Sequence, residues 1–91
     1  MKIVIFIVFG KWRKKPTKEM VDKSREIYGQ MMKEGVKFLG GYWTLGRYDM
    51  VTIAEAKDEK TLMKDLIKMG EVVSTETLVA VPNEEAHKLI E

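Results

Sequence analysis

Ninety-one residues with 45% apolar and 33% charged side chains describe one folded domain, too short for a two-domain enzyme and too apolar for a disordered chain. Sixteen basic against fourteen acidic groups leave a net charge of +2, too small to imply nucleic acid or an anionic membrane as partner. There is no cysteine, so no disulfide can reinforce a core that at this size buries only about 60 to 65% of the unfolded surface.

The run Ile3 to Phe9 is apolar at every position and rich in β-branched residues, which predicts a strand buried on both faces in the middle of a sheet and ended by Gly10. Residues 10–16 then form a basic loop. Lys11, Arg13, Lys14, Lys15 and Lys18 concentrate charge there, and Trp12 is expected to pack on a neighbour while the rest is solvated. The seven-residue apolar run is short for a signal peptide and lacks a small-residue cleavage site, so a cytoplasmic location is expected. One Asn and one Gln beside thirteen Lys and ten Glu give the composition a thermophilic character.

Thr17 is placed to cap a helix with the stripe Met20, Val21, Ile27, Tyr28 and Met31, stopped by Gly35. Residues 36–45 and 48–57 alternate as two strands joined by a two-residue turn at Gly46-Arg47. Asp58 caps a second helix with the stripe Leu62, Met63, Leu66, Ile67 and Met69, ended by Gly70. Residues 72–81 form the last strand, and the tail 84–91 adds a helical turn or frays.

The order βαββαβ predicts a single α+β domain over 1–91 of the ferredoxin-like type. Its four-stranded antiparallel sheet has order 4-1-3-2 and carries both helices on one face. The other face is then bare although the central strand is apolar on both sides, so a homodimer, or a larger assembly of dimers, is expected to cover it.

Alternation from a Gly46-Arg47 turn puts Leu39, Trp43, Tyr48, Met50, Thr52 and Ala54 under the helices. It puts Phe38, Tyr42, Asp49, Val51, Ile53 and Glu55 on the bare face, and a bulge at Gly40-Gly41 would invert the residues before it. On the last strand Val73, Thr75, Thr77 and Val79 resemble that second wall. Tyr42, Asp49, Glu55, Thr75 and Thr77 are therefore the expected polar contacts of a small anionic or amphipathic molecule held between two sheets.

The segments Leu45-Gly46-Arg47-Tyr48-Asp49, Val51-Thr52-Ile53-Ala54-Glu55-Ala56 and Thr75-Glu76-Thr77-Leu78 resemble the GYD domain family. That resemblance implies a ferredoxin-like fold in the dimeric α+β barrel superfamily, and no activity. The spacing of Gly46, Asp49 and Thr75-x-Thr77 is also similar to the amino-acid-sensing domain of leucine-responsive transcription regulators, which implies a stand-alone sensor.

Catalytic signals are sparse. The single histidine, His87, lies in the polar tail, and the carboxylates show no metal-ligand spacing. The glycines match neither a P-loop nor a dinucleotide fingerprint, so no cofactor or metal is expected. The alternative is a cofactor-independent monooxygenase or isomerase with Glu55 or Asp49 as general base, against which the lack of a cavity histidine argues for binding.

Overall fold

The computed structural model describes residues 2–91. β1 (Val4–Trp12) is followed by α1 (Lys18–Lys33), β2 (Lys37–Trp43), β3 (Met50–Ala56), α2 (Glu59–Met69), β4 (Val73–Ala80) and a short α3 (Asn83–His87) that runs into a 3-10 turn. The antiparallel sheet has the order β2-β3-β1-β4, the expected 4-1-3-2 read from its other edge, and the architecture is the ferredoxin-like α+β fold.

β1 does not stop at Gly10. It continues through Lys11 to Trp12, which pairs with Val73, so Trp12 is 8% exposed and part of the core. Phe6, Val8 and Trp12 on β1 and Met50, Ala54 and Ala56 on β3 form one wall of that core. Met20, Ile27 and Met31 of α1, with Leu62 and Met69 of α2, form the other. The apolar transfer of these side chains, about 1.5 to 3 kcal/mol for each large one, fixes which face of each helix turns inward.

Both predicted caps form. Thr17 Oγ1 accepts from Met20 N at 3.2 Å, and Asp58 Oδ1 accepts from Thr61 N at 2.9 Å and from Thr61 Oγ1 at 2.7 Å. The Thr61 hydroxyl, then its amide, hold the Asp58 carboxyl below its ordinary value. Gly35 takes φ +98°, the left-handed conformation that ends α1.

The stripe expected on α2 is rotated. Met63 and Ile67 face solvent, and Asp65, three residues from Leu62 and four from Met69, turns inward and is fully buried. Neither Asp65 oxygen finds a donor among the described residues. Its neighbour Glu34, the C-terminal cap of α1, is also a carboxylate, and Lys64 and Lys68 are the cations beside the pair. Burial, and then the neighbouring Glu34 carboxylate, push the Asp65 carboxyl up; the Asp65 carboxyl, and then the hydrogen bond from Lys64, draw Glu34 down.

The two shifts act oppositely on stability. Asp65 contributes fully below its unfolded value and loses that contribution as pH rises through its raised folded value. Glu34 contributes above the ordinary carboxylate range and loses it as pH falls through its lowered folded value. Asp65→Asn keeps a donor toward Glu34 without a proton to lose. It is expected to melt a few degrees above wild type at pH 8, the gap closing toward pH 4 in thermal melts across that range.

Candidate functional site

Cross-strand register gives the bare face as three rows. Glu76, Phe9, Val51 and Tyr42 form the first; Leu78, Ile7, Ile53 and Gly40 the second; Ala80, Ile5, Glu55 and Lys37 the third. The middle is apolar. Polar groups stand at its corners, with Glu76 and Tyr42 at one end and the facing Glu55 and Lys37 at the other, an apolar centre inside a polar rim.

Tyr42 and Glu55 thus lie on the expected face, but four β3 positions, roughly 14 Å, separate their rows. Thr75 and Thr77 do not lie there. They pair with Gly10 and Val8, so they share the side of the sheet that carries the helices. Both sides of this edge strand are half polar, so alternation alone does not fix its facing, and the pairing with β1 does.

Phe38 is also on the helix side, opposite Ala54, because the bulge falls between Phe38 and Gly40 and Leu39 is the extra residue. Its ring meets Tyr28 edge-on at 5.2 Å. Asp49 is spent on the backbone: its Oδ2 accepts from Trp12 N at 2.8 Å, and its own amide donates to Gly10 O at 2.8 Å. It fastens the end of β1 to the hairpin.

The hairpin tip is wider than two residues. β2 ends at Trp43 and β3 begins at Met50, Thr44 N donates to Asp49 O at 2.8 Å, and Gly46 takes φ +113°. This wider tip carries Tyr48 to the bare face, opposite to its expected side. There its ring lies 4.8 Å from Phe9 and its hydroxyl donates to Glu76. That hydrogen bond is the main cause that raises Tyr48 above the ordinary phenol value. The Arg47 guanidinium stands 5.6 Å over the same ring.

Tyr48 and Glu76, with Lys11, Arg47, Ser74 and Thr75, border a concavity of about 630 Å³. A two-residue turn hides this corner, because alternation from it puts Tyr48 under the helices. The signal that could have found it was the tyrosine of the Gly-x-Tyr-Asp hairpin two residues before Met50, within reach of the aromatic end of β1. Among the described residues no cluster of three or more His, Asp or Glu could hold a metal, and no helix is long and apolar enough to cross a membrane.

The basic run after Gly10 is partly structural as well. The Arg13 side chain donates to Gly70 O, a carbonyl at the end of α2, and Arg13 N donates to Val72 O at 3.1 Å.

Among solved structures the chain is similar to FFRP-DM1, with 21% identity over 86% of this chain and 99% of that one and a TM-score of 0.56. It is similar to LrpC of B. subtilis, with 15% identity over 88% of this chain and a TM-score of 0.64, and spans 51% of LrpC. It is also similar to a variant of SnoaB, a cofactor-independent oxygenase from Streptomyces nogalater, with 13% identity over 89% of this chain and 93% of that one and a TM-score of 0.59. At these identities the likeness establishes the fold alone. No curated protein matches the chain. The family model of the GYD domain matches residues 6–90, and the chain belongs to the GYD domain family.

Proposed function

We propose that the chain is a homodimeric small-molecule-binding module in which two bare sheet faces bury one another and enclose the Tyr48–Glu76 corner. The observation that carries this is the apolar band Ile5, Ile7, Phe9, Val51, Ile53 and Leu78 on a face that no helix among the described residues covers. All of these side chains but Leu78 are half-buried in the single chain, so leaving the band in water forgoes at most about 1.5 to 3 kcal/mol for each large one. Six such groups on each copy can offset an association cost of about 4 to 15 kcal/mol.

The corner concavity has the size of a small-ligand site. Lys11 and Arg47 supply positive charge for a carboxylate, and Glu76 can accept from an ammonium or hydroxyl group, chemistry that suits an amino acid or a hydroxy acid. Tyr48 and Glu76 join Thr75 as the polar groups of the concavity, Thr77 lies outside it, and Tyr42 and Glu55 remain on the rim. A Tyr raised above its usual value stays a hydroxyl donor at neutral pH, which favours binding over proton transfer by this pair.

The test is a thermal-shift screen of amino acids and small hydroxy acids against wild type, Tyr48→Phe and Glu76→Gln. A ligand at 100 times its Kd adds about 2.7 kcal/mol, which for a domain of this size is roughly 10 °C or more. Both variants are expected to lose most of that shift. A ligand that shifts wild type and both variants equally would place binding elsewhere.

A further inference from the structure

We propose that the groove between α1 and β2, on the helix side of the sheet, is a separate binding site for a planar aromatic molecule carrying a negative charge. Val21, Ser24, Arg25 and Tyr28, spaced i, i+3, i+4 and i+7, form one wall, and Trp12, Trp43 and Thr52 face them across a hollow of about 350 Å³. Hollows of about 370 Å³ adjoin it on both sides, one sharing Trp12 and Trp43, the other sharing Tyr28 and Thr52.

The groove exists because β2 has no side chain at Gly41. Gly41 pairs with Thr52 and so faces the groove, and a Cβ added there would meet no atom within 4 Å. The inner polar groups are already partnered. Ser24 donates to Val21 O at 2.8 Å, and the Tyr28 hydroxyl lies 3.3 Å from Thr52 Oγ1. What remains for a ligand is aromatic surface. The Trp12 and Trp43 rings meet edge-on at 5.7 Å, and Trp43 is 68% exposed, an uncommon exposure for an indole held beside a hollow.

Charge selects the occupant. Arg25 stands in the α1 wall, and Lys14 and Lys15 stand at the mouth next to Trp12 and Trp43. Asp49, which lines the mouth with Lys14 and Lys15, is engaged by the Trp12 amide. A flat ring stacked on Trp43 with its anionic group toward these cations uses both features at once. The site lies on the opposite side of the sheet from the dimer face, so it stands or falls independently of the Tyr48–Glu76 corner.

The chain supplies its own probe, because its two tryptophans both line the groove. Titration with 2-naphthoate is expected to quench their fluorescence saturably, and the neutral analogue 2-naphthylmethanol to bind about fivefold or more weakly. Arg25→Gln is expected to weaken naphthoate toward the affinity of the neutral compound, Gly41→Leu to abolish binding by filling the hollow, and Glu76→Gln to change neither. Equal affinity for the two compounds, saturation unaffected by both Arg25→Gln and Gly41→Leu, or a single-stranded oligonucleotide that binds more tightly than naphthoate would each overturn the proposal. Arg25 is exposed, so its variant decides the matter even if Gly41→Leu does not fold.

Discussion

Ile7→Lys is expected to give a folded protein that no longer associates. Ile7 sits at the centre of the bare face, paired with Ile53 on one side and Leu78 on the other, and contributes nothing to the core beneath the helices. A lysine there projects into water in the single chain. Between two sheets it must lose that water without a counter-charge among its apolar neighbours, a penalty of several kcal/mol that two-fold symmetry imposes twice. A loss of about 4 kcal/mol weakens association about a thousandfold. Size-exclusion chromatography with light scattering from micromolar to 100-fold higher loading is expected to show a monomer with a normal circular dichroism spectrum. Ile67→Lys, on the exposed side of α2, serves as the control and is expected to remain associated. Persistent association of the Ile7 variant would mean that another surface joins the subunits.

Gly10→Val is expected to be the most damaging small substitution for the fold. Gly10 lies inside β1 between Met50 and Thr75, and a Cβ added to it would stand 2.7 Å from Met50 Cγ and 2.9 Å from Val73 Cγ1. Neither contact is the loose end of a side chain: Val73 is 1% exposed and Met50 is 7% exposed. Overpacking of this kind costs typically about 1 to 3 kcal/mol, and valine adds two further methyl groups at the same place. The same residue's carbonyl receives the Asp49 amide, so displacement of β1 also loosens the hairpin tip. We expect a loss of about 3 kcal/mol or more in urea unfolding, a large part of the roughly 5 to 14 kcal/mol available to a chain of this length. A loss below about 0.5 kcal/mol would show that Met50 and Val73 yield more easily than their burial implies.

The central features of the fold were legible because they rest on strong local signals. β1 announces itself by seven consecutive apolar residues, and Thr17, Gly35 and Asp58 punctuate the helices where expected. The bare apolar face follows from the element order alone. What the sequence concealed were choices of one residue. Either Gly40 or Gly41 could host a bulge, and only the register shows that Leu39 is the extra residue, which sends Phe38 inward. A tip wider than Gly46-Arg47 turns Tyr48 over, and β4 reads almost equally well with Thr75 and Thr77 on either side.

In the candidate site the alternation of β3 holds, and the departures are local to the hairpin tip and to β4. Two of the five expected contacts, Tyr42 and Glu55, lie on the bare face, while Asp49 proved to be a backbone fastener and Thr75 and Thr77 turned toward the helix side. Asp65 could not have been foreseen from periodicity, because an inward acid at that position requires the neighbouring Glu34 that only tertiary packing brings beside it.

Sedimentation equilibrium of the wild-type chain at low micromolar loading reads the pairing of the sheets itself. Paired sheets give a species of twice 10.5 kDa whose bare face is shielded. A single 10.5 kDa species that stays folded across the concentration range would contradict that pairing, since the apolar band on β1, β3 and β4 would then be stable in water.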